Sequence, residues 1–274
     1  MDHPPVQPHV TARPPRRQFD SSRTRVGPVF GALAATVSDD QWVRGLLDLA
    51  ADRGDRRWHT QDLRVIERHH HAPPGADTPK EKGLAPPDTL LAWLLDHFTR
   101  PKGDKYGSGE VGDMRRLLAE GDADTMAKAR AGLARSRRGK AWYILEGQTS
   151  PDVYLVTRDA LIVVEGKRTE AGPTTSTTWM AGRHQMLRHI DAAWEIRGDR
   201  SVYGMFIVEA LPGTDDVPEL WQQAAKDTCS DAAIQSSLPH RSLADQEGIR
   251  RAMVGVTTWQ RIVSTFHLPP SVLQ

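Results

Sequence analysis

Residues 142–167, WYILEGQTSPDVYLVTRDALIVVEGK, restrict the fold more than any other stretch of the chain. Three short apolar runs, at 142–145, 152–157 and 161–164, are separated by Gly, Ser, Pro or Asp. Runs of this length, enriched in Val, Ile and Tyr and punctuated by turn residues, predict three successive strands in a meander. Charge sits at the ends of these runs. The first is followed by Glu146, the second opens with Pro151-Asp152, and the third runs into Glu165-Gly166-Lys167.

Side chains alternate along a strand with period two, so the loop at Arg158-Asp159-Ala160 decides which charged residues meet. An even loop of two or four residues sets Asp152 opposite Glu165 or Lys167. Asp152, Glu165 and Lys167 then share one face at one end of a hairpin. An odd loop without a bulge would turn Asp152 to the other face. Two carboxylates on one face suit a hard divalent cation, which binds through a few oxygens and keeps several waters. An ammonium two residues along could orient a metal-activated water or oppose charge developing on a phosphate. The plainer reading makes Pro151-Asp152 a turn opener and Glu165-x-Lys167 a solvated strand edge. Four consecutive apolar residues argue against it, because they mark a strand covered on both faces.

The pattern P-D, then E-x-K at the end of an apolar strand, resembles the PD-(D/E)xK nuclease superfamily. The downstream order is similar as well: a Thr-rich loop (Thr174, Thr175, Ser176, Thr177, Thr178), a helix carrying Gln185, and an apolar strand at 202–208. The resemblance spans about residues 140–210. It implies an α/β (α+β) fold, with a mixed central β-sheet flanked by helices around a restriction-endonuclease-like core. It also implies phosphodiester hydrolysis with Mg²⁺, or Mn²⁺ in its place, on DNA in preference to RNA. Asp152 and Glu165 would hold the metal with the Gly166 carbonyl, while Lys167 and Gln185 complete the catalytic set. Glu110, near the start of a helix before the sheet, is a further metal ligand by similarity. Glu146 is its rival, because strand order alone places it beside the hairpin. Exonuclease-type relatives follow the Gln with a Tyr four residues later, where this chain has His189. His189 therefore reads as part of a polar helix face.

The remainder of the chain reads as a frame for that core. Residues 1–27, rich in Pro and Arg, lack the apolar content to repay ordering and are expected to be a disordered tail. Residues 28–135 read as a helical N-terminal region and 136–274 as the nuclease-like core. Helices are expected from Ser38 to about residue 50, after Pro86-Pro87-Asp88, from about Glu110, over 122–135 and again after Arg183. Residues 220–225 and 258–262 read as further short helices, and 253–257 as a final strand. His69-His70-His71 reads as a surface helix end before a Pro-Gly loop. Adjacent histidines on an extended segment would point to alternating faces, so they do not suggest a metal site. Arg137, Arg138 and Lys140 form a basic cluster just before the sheet, and with Arg168 and Arg183 they are the candidate nucleic-acid contacts.

The net charge of +1 announces no nucleic acid, so any binding patch has to be local. A single cysteine, Cys229, excludes an intrachain disulfide and a Cys-based zinc site, and fits a reducing cytoplasm. No apolar run reaches membrane-spanning length. A homodimer or a larger restriction, defence or repair complex is compatible with this reading. Two other classes compete with it: a non-catalytic nucleic-acid-binding or assembly protein on the same scaffold, and a hydrolase of small phosphoesters.

Overall fold

The computed structural model describes residues 21–51, 55–71, 81–134 and 141–274. A single mixed sheet of five strands is built in the order β1-β2-β3-β4-β5. The strands are β1 (Val65–His70), β2 (Val153–Thr157), β3 (Ala160–Gly166), β4 (Ser201–Val208) and β5 (Met253–Thr258). β1, β2 and β3 form an antiparallel meander, while β3, β4 and β5 run parallel. The parallel half needs crossovers. Helix α6 (Gln185–Ile196) links β3 to β4, and α7 (Glu219–Thr228), α8 (Asp231–Ser237) and α9 (Leu243–Ala252) link β4 to β5.

Every residue of β2 and β3 is buried, as expected of strands covered on both faces. Ala160, Ile162 and Val164 face one layer, with α1 (Gly27–Thr36), α2 (Asp39–Ala50) and α10 (Trp259–Thr265). Leu161 and Val163 face the other layer, where α6, α7 and α9 pack. A smaller apolar cluster joins α3 (Asp88–Asp96), α4 (Gly109–Ala119) and α5 (Ala123–Leu133) to Leu145 and Met180. The expected α/β architecture, a mixed sheet flanked by helices, is therefore the one observed.

Three local expectations need correction. Residues 142–145 form no strand: Trp142 and Tyr143 lie in a turn and pack with Leu145 on the small helical cluster. Their apolar surface serves that cluster, with the Tyr143 ring standing where a side chain on Gly132 of α5 would be. The first strand comes instead from residues expected to be helical. Val65–His70 pairs with β2, and its histidines alternate, with His70 buried beside Phe30 and His69 against Tyr154. The region at 28–135 thus supplies a strand and, through α1 and α2, one face of the core. Finally, of the tail expected at 1–27, residues 1–20 lie outside the described residues, while a π-helical turn, Ser22–Val26, is folded and leads into α1.

Candidate active site

The hairpin joining β2 and β3 has the even loop that the site requires. Val156 pairs with Leu161 and Val153 with Val164, and the Thr157 hydroxyl accepts the Ala160 N–H to close the turn. Continuing this register by one residue places Asp152 opposite Glu165. The Gly166 N–H donates to Asp152 Oδ2 at 2.7 Å, which fastens the two strand ends together. Gly166 has to be a glycine, since a Cβ there would lie 2.8 Å from the Trp259 ring and 3.0 Å from Val26. Trp259 is fully buried and its indole N–H donates to the Lys167 carbonyl, so it props up the strand end that presents the site.

Glu165 is buried and surrounded by donors. Its Oε1 accepts from Gln185 Nε2 at 2.8 Å and lies 2.7 Å from Lys167 Nζ, while Oε2 lies 3.0 Å from His189 Nε2. Gln185 and His189 are one turn apart on α6, which aims both at the sheet. Burial raises the proton affinity of Glu165, but the hydrogen bonds from His189 and Lys167 and the Lys167 charge outweigh it and hold the carboxyl below its ordinary value. Burial also opposes the charge of Lys167, yet Glu165 wins and the ammonium is held above its ordinary pKa. Lys167 is therefore a cation here and not a base.

Asp152 differs from Glu165. Burial and the adjacent Glu165 charge push it up to about 7, against the opposing bonds from the Gly166 N–H and the Ser22 hydroxyl. The Ser22 contact, 3.0 Å to Oδ1, comes from the π-helical turn and had no signal in the sequence. The same turn meets the other side of the site, where the Arg168 guanidinium donates to the Thr24 hydroxyl.

The remaining site residues expected from the sequence fare differently. Glu146 does not join the hairpin carboxylates. It is buried against Arg183 at 3.0 and 3.1 Å and against Arg188 at 3.3 Å. Arg183 is fully buried between Glu146, Asp191 and the Ser237 carbonyl, so it presents no surface to a nucleic acid. Both were misplaced because each is satisfied by a partner distant in sequence. Glu110 is exposed in the first turn of α4, which packs on α5. Arg168 is half-buried beside the site, and Arg137, Arg138 and Lys140 lie outside the described residues. His189, read from the sequence as a polar helix face, is a buried member of the site.

The donor set fits a hard dication. Asp152 and Glu165 are adjacent across the hairpin, and a nearby positive charge would ionise Asp152 readily. The buried Gln185 Oε1 has no hydrogen-bond partner beside Glu165, so an oxygen acceptor is available there. Among the described residues no group of three or more His, Cys, Asp or Glu side chains is arranged to hold a metal ion. The coordination would then be two carboxylates completed by backbone or amide oxygens and water, a set that Mg²⁺ accepts. No family model, curated protein or solved structure matches this chain. Among the described residues, no helix is long and apolar enough to cross a membrane.

Proposed function

We propose that this chain is a Mg²⁺-dependent deoxyribonuclease of the PD-(D/E)xK kind. The observation that carries the reading is the unbalanced pair of carboxylates at the end of a buried hairpin, with one ammonium on Glu165 and Asp152 raised to about 7. Buried carboxylates left partly uncompensated cost stability, and active sites are where such a cost is retained. Asp152, Glu165 and the Gly166 carbonyl would hold the cation, Mg²⁺ or Mn²⁺. Bound there, the metal would acidify a water and screen the phosphate charge.

The chain's own groups have distinct roles. Gln185 orients Glu165 through Oε1. Lys167 keeps its charge and has a flexible stem, so it can leave Glu165 and face the negative charge that builds on the phosphoryl oxygens. Arg168 and the exposed hydroxyls of Thr174, Thr175 and Ser176 supply contacts of the kind that position a phosphate backbone. DNA is the proposed substrate and RNA the alternative. The single cysteine, Cys229, which forms no disulfide, suits the reducing cytoplasm in which such an enzyme would act.

One observation favours a second reading. Glu165 already receives donors on both oxygens, as it would in a nucleic-acid-binding protein that keeps the scaffold without the chemistry. Cleavage separates the two. Supercoiled plasmid and linear single-stranded DNA are incubated with wild type and Lys167→Ala in Mg²⁺, Mn²⁺ or chelator. Metal-dependent nicking that is lost in the variant supports the nuclease. Gel-shifted DNA that stays intact under every condition supports the binding protein.

A further inference from the structure

Resting on the metal-site reading above, we infer that His189, steered by Thr149, is the positioning residue that fixes the Glu165 carboxylate. Glu165 uses its two oxygens differently. Oε1 meets the movable Lys167 ammonium and Gln185, whereas Oε2 is turned toward α6 and meets His189. His189 is 2 % exposed, and its other ring nitrogen, Nδ1, lies 2.8 Å from the Thr149 hydroxyl. Thr149 is also buried, and its backbone is fixed by a reciprocal pair of hydrogen bonds with Leu84, at 2.8 and 2.9 Å. The chain Thr149–His189–Glu165 thus runs from a backbone-pinned hydroxyl to a candidate metal ligand.

The chemistry of the chain fixes its direction. An ionised Glu165 can only accept, so Nε2 carries the proton and donates to Oε2. In the neutral ring Nδ1 then accepts the Thr149 hydroxyl proton, which selects one tautomer. Oε2 is thereby held toward the helix and Oε1 toward Lys167 and the Asp152 side. When Lys167 turns to a phosphate, His189 keeps the carboxylate from turning with it. A ligand carboxylate fixed by an outer hydrogen bond is a recurring requirement of metal sites, and loss of such a partner costs about 10–100-fold in metal affinity.

Mn²⁺ titration calorimetry at pH 8 on the full chain tests this inference. His189→Leu removes the donor, His189→Gln keeps an N–H near the position of Nε2, and Thr149→Val removes only the hydroxyl. The expected result is Mn²⁺ binding weakened about 10–100-fold in His189→Leu, largely restored in His189→Gln and intermediate in Thr149→Val. Nitrogen-15 spectra of the wild-type ring should show Nε2 protonated and Nδ1 bare, and Thr149→Val should mix the tautomers. Thermal melts alongside guard against simple unfolding, and Thr149→Val keeps the volume of the side chain. Unchanged affinity in His189→Leu, or an Nδ1-protonated wild type, overturns the inference alone. A wild type that takes up no Mn²⁺ overturns the metal-site reading, and this inference with it.

Discussion

Helix α6 borders two buried clusters of charge that look alike in composition and differ in balance. In the first, Glu146 and Asp191 are met by Arg183, Arg188 and Arg241, with His240 Nε2 3.1 Å from Asp191. Burial would raise Asp191, but Arg183, His240 and Arg241 overcome it and hold the carboxyl far below the ordinary range. In the second, Asp152 and Glu165 share one lysine among the described residues, and Asp152 stands near 7. The first cluster is closed, with its charges matched by forked guanidinium bonds, and it ties the start of α6 to α8 and to Arg241. The second is short of positive charge and half open. Buried charge alone does not mark a site; the proposed one rests on the under-compensated carboxyl of Asp152 at the end of the hairpin.

The largest expected effect comes from unbalancing the closed cluster. Arg183→Met leaves Glu146 and Asp191 buried without their main partner and should cost about 3–5 kcal/mol of stability, read by urea unfolding. A loss below about 1 kcal/mol would show that this cluster does not hold α6. The next effect is on chemistry. Lys167→Ala should still fold, because Gln185 and His189 still bond Glu165, though it melts lower for want of the ammonium, and should lose about 10²–10³-fold in cleavage rate. Retained cleavage would remove Lys167 from the mechanism.

The smallest effect has the opposite sign. A carboxyl raised to about 7 in the folded chain binds its proton there while the unfolded chain has lost it, so wild-type stability falls as pH rises from about 4 through about 7. Asp152→Asn removes this penalty. The variant should match wild type in acid and exceed it above pH 7 by about 1–2 kcal/mol, well under the full linkage energy because the side chain is partly solvated. Melts between pH 4 and 9 give the difference, and a variant less stable at pH 8 would contradict it. A substitution that stabilises the chain while abolishing activity is the usual mark of a site kept at a cost in stability.

The hairpin was legible in the sequence because it is local. Period-two alternation and a two-residue turn decide its register, and that register alone brings Asp152 and Glu165 together. Gln185 entered only through the family resemblance, whereas β4 and β5 were legible through continuous apolar runs. What the sequence does not display depends on partners far along the chain. Glu146 looks free until Arg183 is folded onto it, and Ser22 reaches Asp152 across 130 positions. The strand at Val65–His70 was hidden because His and Arg occupy an edge strand with a largely solvated face. Residues 142–145 misled for the opposite reason, since the helical cluster takes their aromatic surface and no strand pairs with their backbone.

The central claim is that the under-compensated Asp152 carboxyl beside Glu165 is there for a divalent cation, and it can be tested without knowing the substrate. The most direct measurement is the melting temperature at pH 8, with and without Mg²⁺ or Mn²⁺, for wild type and Asp152→Asn. A ligand at a hundred times its Kd adds about 2.7 kcal/mol to the folded state. The account predicts that the metal raises the wild-type melting temperature by several degrees and leaves the variant almost unmoved. No rise in wild type with either metal, or an equal rise in both proteins, would contradict it.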